Sequence, residues 1–144
     1  AGDTETLKAI ARHGHRDGRF HVDGNFGADR CDEFYAAWIA NSCAGWADRV
    51  FVADDSDGPK GYVTVHRRAD KGEIGLVGVS ADARGRGVAS RLLGTARQWC
   101  AEQGLARVSV VTQGRNRAAM RLYQSAGFEV TDIQLWHHRW LTAA

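Results

Sequence analysis

The chain has 144 residues, which is the size of one domain with a substantial buried core. Hydrophobic residues make up 44% and charged residues 25%, and 19 basic against 17 acidic side chains leave a net charge of +2. This balance does not indicate a nucleic-acid binder, and no apolar run approaches the ~18 residues of a membrane-spanning helix. Three separated cysteines and the lack of a secretory leader predict reduced thiols and a cytoplasmic location.

Hydrophobic periodicity and turn residues predict two helices followed by strands and further helices. The turn residues over 54–59 join the first two strands as an antiparallel hairpin. The strand–helix–strand unit over 73–111 predicts parallel pairing, so the fold class is mixed α/β. In chain order, the predicted elements are a helix from Asp3 or Thr4 to Arg12, a loop over 13–27, a helix from Asp29 to Cys43, strands over 50–53, 61–66 and 73–79, a helix from Val88 to Gln103, a strand over 108–111, a helix from Asn116 to Ala126, and one or two strands over 128–140.

The same periodicity predicts which apolar side chains are buried. The loop is anchored by Phe20, Val22 and Phe26, and the second helix buries Phe34, Trp38 and Ile39. The strand over 108–111 buries Val108, Val110 and Val111. The helix after the third strand has one apolar face, formed by Val88, Ala89, Leu92, Leu93, Ala96, Trp99 and Cys100.

A glycine-bearing loop joins the strand over 73–79 to the helix that begins at Val88. Within it, Gly85 and Gly87 each follow an arginine, Arg84 and Arg86. Glycine lets a backbone approach a ligand closely, and the first turn of a helix presents unpaired N–H groups to an anion. The loop is therefore predicted to bind a phosphate or pyrophosphate.

Two kinds of nucleotide-binding loop are excluded by the residues after Gly87. The nucleoside-triphosphate loop needs Lys followed by Ser or Thr, but Val88 stands there. The dinucleotide fingerprint needs a third glycine where Ser90 stands, and an acidic residue ~20 positions later. The anion must therefore belong to another compound.

The loop and a second region downstream resemble the GCN5-related N-acetyltransferase (GNAT) family. That family's signature is Arg or Gln, two residues, Gly, one residue, then Gly or Ala, and Arg84, Gly87 and Ala89 satisfy it. The resemblance covers roughly residues 50 to 140 and departs from the pattern at Ala81, where the family often has proline. The downstream region matches at Asn116, Ala119, Leu122-Tyr123 and Gly127-Phe128.

The resemblance implies the GNAT acyl-CoA N-acyltransferase fold, in which a central mixed, mostly antiparallel sheet is flanked by helices. We expect one such domain over residues 1–144. The family opens with a strand, and this chain begins almost at its first helix. The alternatives are a strand or a whole lobe upstream, or a fold that manages without the opening strand.

The resemblance also implies that the cosubstrate is acetyl-coenzyme A. Its pyrophosphate is expected on the backbone N–H groups of residues 84–89, and its pantetheine arm along the strand that contains Val77 and Val79. Gly75 and Gly78 reduce side-chain bulk along that strand, which suits a close approach. Asn116 matches a residue that commonly contacts the cofactor. The expected cofactor-binding residues are Val77, Val79, Arg84, Gly85, Arg86, Gly87, Val88, Ala89 and Asn116.

The implied reaction is attack by a primary amine on the thioester. Tyr123 matches the family tyrosine that serves as general acid, and a phenol keeps its proton at neutral pH. The general base is open between Glu73, His66 and ordered water. No metal is expected, because His13 with His15 and His137 with His138 lack a third ligand at a suitable spacing.

The acceptor amine is also open. The segments 19–23, 34–42, 111–116 and 134–136 resemble a subgroup that acetylates amino sugars on nucleotide carriers, so a dTDP-amino sugar is one expected acceptor. The alternatives are a protein N-terminus or another small amine. A further alternative is a non-catalytic regulatory module that binds acyl-CoA, against which Tyr123 argues. No nucleic-acid or membrane partner is expected, and the chain is expected to be a monomer or a homodimer.

Overall fold

A four-stranded sheet forms the centre of the structure, a computed structural model that describes residues 2–141. The strands lie in the order β1-β2-β3-β4; β1, β2 and β3 pair antiparallel, and β4 is parallel to β3. This confirms the mixed, mostly antiparallel sheet. The elements are α1 Gly2–Gly14, α2 Arg19–Val22, α3 Ala28–Asn41, a π-type turn Ser42–Trp46, β1 Arg49–Asp55, β2 Gly58–Arg68, β3 Lys71–Val79, a 3-10 turn Ala81–Ala83, α4 Val88–Glu102, β4 Arg107–Val110 and α5 Arg117–Ser125.

Helices α1 and α3 cover one face of the sheet. Leu7 and Ile10 of α1 and Ile39 of α3 are buried in one cluster with Tyr62 of β2 and Leu76 of β3. Tyr62 also hydrogen-bonds across 3.1 Å to Nε2 of His15, which fastens the connection after α1 to the centre of the sheet.

Helix α4 covers the opposite face with the apolar stripe that the sequence predicts. Its buried side chains pack against Val63 and Val65 of β2 and Ile74 of β3. The helix ends before Gly104, which has a φ of +71°. Glycine adopts this left-handed conformation without a Cβ clash, so it stops the helix cleanly. The buried residues of α4 are Val88, Leu92, Leu93, Ala96 and Cys100.

The two predicted N-terminal helices have different bounds in the structure. Helix α1 includes Asp3 and Thr4 and ends at Gly14 rather than Arg12, and α3 ends at Asn41 rather than Cys43.

The N-terminal third differs from the prediction in further details. The short helix α2 interrupts the predicted loop, and Val22 at its end is 49% exposed rather than an anchor. Gly27, not Asp29, is the N-cap of α3. Phe34 is 45% exposed because Tyr35 and Ile39, four residues apart, occupy the sheet-facing side of the helix.

The C-terminal residues 128–140 were predicted as one or two strands, and this prediction is wrong for the described chain. Apolar and β-branched residues form a strand only where a neighbouring strand pairs with them. Here the segment instead contacts the region after α1: Asp23 accepts hydrogen bonds from His138 at 2.9 Å and from Trp140 at 3.2 Å. Val111 is also outside β4 and is 88% exposed, because the strand ends at Val110. Within residues 2–141, no helix is long and apolar enough to cross a membrane.

Candidate functional site

Strands β3 and β4 separate partway along their length. Their parallel pairing runs from Lys71 opposite Arg107 to Ile74 opposite Val110, whereas β3 continues to Val79. The edge of β3 that faces β4 is therefore unpaired over residues 75–79. Such an edge can pair with an extended ligand or peptide through its backbone groups. Val77 and Val79, the two predicted ligand-binding residues of this strand, lie on that stretch.

A bulge in β3 marks the point where the two strands part. Val63 pairs with Val77 and Val65 with Ile74, so two residues of β3 stand opposite Thr64 alone. Thr64 is fully buried, and its Oγ1 accepts the backbone N–H of Leu76 at 2.9 Å. The hydroxyl thus satisfies a backbone donor that the ordinary ladder would leave unpaired, and it holds a bend that bulges typically introduce.

Gly75 and Gly78 make room for side chains of β2. A Cβ on Gly75 would lie 2.8 Å from Oγ1 of Thr64 and 3.1 Å from Nε2 of His66. A Cβ on Gly78 would lie 2.6 Å from the ring of Tyr62. These glycines therefore serve the packing between β2 and β3, a reason that differs from the predicted approach of a ligand.

The glycine loop lies directly after β3 and is tied down at both ends. Lys60 of β2 forms an ion pair with Asp82 at 2.8 Å, and this contact lowers the pKa of the Asp82 carboxyl to about 2. Ala83 and Val88, on either side of the loop, are buried in the hydrophobic cluster between α4 and the sheet, which we call the α4 cluster. The exposed segment between them is thus held at the end of the unpaired β3 edge.

The loop backbone has an open, left-handed conformation at both glycines, and this can present its N–H groups to an anion. Gly85 and Gly87 both have a φ of +74°, the left-handed conformation that other residues adopt at a cost. Within residues 2–141, the N–H groups of residues 84–89 have no hydrogen-bond acceptor. Arg84 and Arg86 are exposed beside them, and Nε of Arg84 donates to the carbonyl of Val79 at 3.4 Å. Free N–H groups, a helix N-terminus and two cations meet at this point, as a pyrophosphate site requires.

Helix α5 places Tyr123 on the α4 side of the sheet. Tyr123, Val77 and Val79 all pack against the same buried cluster, and the Tyr123 ring meets Phe128 edge to face at 5.8 Å. Burial raises the pKa of Tyr123 to about 12, so the phenol keeps its proton at neutral pH. Asn116 caps α5, because its Oδ1 accepts the N–H of Ala119 at 3.0 Å.

The two candidate bases lie opposite each other on the other face of the sheet. His66 of β2 pairs in register with Glu73 of β3. His66 is 3% exposed, and its Nδ1 has no hydrogen-bond partner within the described residues. The Glu73 side chain is 41% exposed and lies 3.5 Å from Nζ of Lys71. The glycine loop over residues 84–89 is called the phosphate loop below. The structure places the predicted acid and the phosphate loop on the α4 face, and the predicted bases on the face of α1 and α3.

Sequence reasoning missed Thr64. Its role depends on the register between two strands, which no local pattern shows. The available signal was Gly75, since glycine inside a strand often marks a bulge.

Comparison with known proteins gives consistent results at three levels. Residues 16–128 match the acetyltransferase (GNAT) family. The chain is 28% identical over 139 residues to the spore coat polysaccharide biosynthesis protein SpsD of Bacillus subtilis, covering 96% of this chain and 48% of that protein. It is 29% identical over 140 residues to the dTDP-fucosamine acetyltransferase of Escherichia coli, covering 95% and 59%. The chain thus spans about half the length of these curated relatives.

Among solved structures, the PaiA N-acetyltransferase of Thermoplasma acidophilum in complex with coenzyme A superimposes with a TM-score of 0.74. The match covers 92% of this chain and 87% of that one at 16% identity, which shows a common fold.

Proposed function

We propose that this chain, which belongs to the acetyltransferase (GNAT) family, transfers an acetyl group from acetyl-coenzyme A to a primary amine. The observation that carries the proposal is the parting of β3 from β4 beside an anion-binding loop. One end of this arrangement suits a pyrophosphate, and the other suits an extended amide-bearing chain. Coenzyme A has both parts in that order.

Two features of this chain support the binding of acetyl-coenzyme A. The N–H groups of residues 84–89 are free to hold the pyrophosphate, with Arg84 and Arg86 adding positive charge. The unpaired edge of β3, including Val77 and Val79, is free to pair with the amides of the pantetheine arm. This arrangement directs the thioester toward the bulge at Gly75 and Leu76. Asn116 adds a polar group at the start of α5, in addition to its role as a cap.

In the proposed reaction the amine nitrogen bonds to the thioester carbonyl carbon and the carbon–sulfur bond breaks. Tyr123 donates its proton to the departing sulfur, from the α4 face where Val77 and Val79 also pack. The amine loses its proton to His66 or Glu73, directly or through water, from the opposite face. In this arrangement the acid and the candidate bases stand on opposite faces of the sheet.

The proposed acceptor is an amino sugar on a nucleotide carrier. The relative named dTDP-fucosamine acetyltransferase and the spore coat polysaccharide protein both support sugar chemistry. The test is release of coenzyme A thiol from acetyl-coenzyme A with a panel of dTDP-linked amino sugars, free amino sugars and peptide amines. We expect turnover with an amine, and the highest kcat/KM with a dTDP-amino sugar. Binding of acetyl-coenzyme A without thiol release for any acceptor would favour a regulatory module instead.

Thr64 is predicted to position the reacting strand. Replacing it with valine keeps the shape but removes the acceptor for the buried Leu76 N–H, an unpaired group that costs about 1–3 kcal/mol. That cost lowers the free energy of unfolding. Because the bend at Gly75 and Leu76 is then no longer held, we expect Thr64→Val also to lower kcat, while the KM for acetyl-coenzyme A changes less. Thr64→Ser restores the hydroxyl and is expected to restore kcat. If serine and valine variants turn over equally, the hydroxyl does not position the strand.

A further inference from the structure

An aromatic groove lies on the outer side of α3 and the π-type turn that follows it. Its volume is about 560 Å³, which lies in the range of about 300–1,000 Å³ that small-molecule sites occupy. No step of the proposed acetyl transfer described above uses it. The lining residues, which we call the α3 groove, are Phe34, Ala37, Trp38, Asn41, Ala44 and Trp46.

The rings of the α3 groove are exposed to an extent that core packing does not explain. Phe34 is 45% exposed and Trp46 is 55% exposed. Phe34 contacts Trp38 at 5.6 Å and Trp38 contacts Trp46 at 5.9 Å between ring centroids, both edge to face. A continuous group of exposed aromatic rings usually marks a binding surface, and ring faces stack well on planar ligands.

Polar groups accompany these rings. Nε1 of Trp38 is buried and has no hydrogen-bond partner within residues 2–141. Asn41, one helical turn further on, contributes an amide that both donates and accepts. A ligand with a planar ring and a carbonyl or N–H edge could pair with the Asn41 amide, whereas Nε1 of Trp38 is buried beneath the groove surface.

One lining residue of the α3 groove contacts a candidate base of the proposed reaction. The Trp46 ring lies 4.9 Å from the ring of His66, edge to face. His66 in turn borders Gly75 at the bulge, toward which the thioester is directed. An acceptor that places its amine near His66 would therefore extend along Trp46 toward Phe34. The groove and the transfer site would hold two ends of one molecule.

We propose that the α3 groove binds the nucleotide carrier of the acceptor, which lies along the aromatic rings from Phe34 to Trp46, while the amino sugar lies beyond Trp46, toward His66. The inference rests on the proposed acetyl transfer and names the part of the chain that selects its substrate. Phe34 and Trp46 are thus specificity-determining residues, distant from the phosphate loop that holds coenzyme A.

The test compares one dTDP-linked amino sugar with the same amino sugar free of its nucleotide, at saturating acetyl-coenzyme A. Phe34→Ala and Trp46→Ala are expected to raise the KM for the dTDP-linked acceptor by about tenfold, the order of magnitude that stacking of one base on one ring contributes. The KM for the free amino sugar and for acetyl-coenzyme A should change less than about twofold. Val22→Ala, which trims a residue of similar exposure outside the groove, serves as the control.

Direct binding of dTDP, measured by calorimetry with coenzyme A already saturating the phosphate loop, gives a second readout. We expect binding by the parent protein and by Val22→Ala, and loss of binding in Phe34→Ala and Trp46→Ala. Equal dTDP affinity in all four proteins would overturn the inference. So would a dimer that Trp46→Ala dissociates, because the groove would then hold a second copy of the chain.

The two proposals fail in different ways. If thiol is released with small amines but dTDP neither binds nor improves an acceptor, the carrier site is wrong and acetyl transfer stands. If acetyl-coenzyme A binds and no amine of the panel releases thiol, acetyl transfer itself is wrong.

Discussion

Replacing Tyr123 with phenylalanine is expected to lower kcat for acetyl transfer by roughly 100- to 10,000-fold, the range that a positioned general acid contributes. The change removes one hydroxyl and keeps the ring that packs against Phe128 and the α4 cluster. The KM for acetyl-coenzyme A should therefore stay close to that of the parent protein. The measurement is steady-state thiol release at saturating acceptor, with acetyl-coenzyme A binding measured separately.

The pH dependence of kcat should also reflect the role of Tyr123 as a proton donor. Burial raises the pKa of Tyr123 to about 12, so the proton donor is intact across the neutral range. Ionisation of Tyr123 should not reduce kcat until the pH approaches that value, and any rise of kcat at lower pH belongs to the base or the amine.

Tyr62→Phe is the matched control for this prediction. Tyr62 is also buried, and burial raises its pKa, but its hydroxyl contacts His15 on the face of the sheet that α1 and α3 cover. Its loss should lower the free energy of unfolding by about 0.5–1.5 kcal/mol, the usual net contribution of one hydrogen bond, with little effect on kcat. A Tyr123→Phe variant that turns over like Tyr62→Phe would remove Tyr123 from the chemistry.

Local patterns were enough to predict most of the fold. The α4 stripe from Val88 to Cys100 and the stop at Gly104 follow from helical periodicity and from the conformational freedom of glycine, and both are confirmed. The parallel pairing of β3 with β4 follows from the helix between them. The strand prediction for residues 128–140 was wrong because a strand forms only where another strand pairs with it, and β-propensity does not show whether such a partner exists.

The candidate site likewise has parts that local sequence patterns indicate and parts that depend on tertiary packing. The glycine loop and Tyr123 belong to contiguous stretches of sequence, so they could be proposed from the sequence alone, and their roles stay predictions. Thr64 and the parting of the strands depend on a register shift between β2 and β3, which is set by tertiary packing. The α3 groove could not be predicted from the sequence for a related reason. Phe34 and Trp38 have the spacing of core residues, but Tyr35 and Ile39 are the residues of α3 that face the sheet.

The phosphate loop provides the second large expected effect. Gly87→Val is expected to weaken acetyl-coenzyme A binding by at least ~100-fold, because losing two hydrogen bonds to a charged phosphate removes about 1.5–3 kcal/mol each. In the proposed complex the valine side chain would stand where the backbone meets the ligand, and its Cβ would disfavour the φ of +74°. Both effects withdraw the free N–H groups of the loop from the pyrophosphate. The measurement is the Kd of acetyl-coenzyme A by calorimetry.

Strain by itself must be separated from loss of the site, and the other end of α4 offers the control. Gly104 has a φ of +71°, nearly the same as Gly87. A Cβ on Gly104 would meet open space, and one on Gly87 would make only an ordinary contact of 3.6 Å with Arg91. Gly104→Val should therefore cost a similar free energy of unfolding, roughly 1–2 kcal/mol for the left-handed conformation. Because Gly104 is at the C-terminal end of the helix, that variant should bind acetyl-coenzyme A normally once folded. Equal losses of affinity in the two variants would mean that the loop acts only through stability, and normal affinity in Gly87→Val would place the pyrophosphate elsewhere.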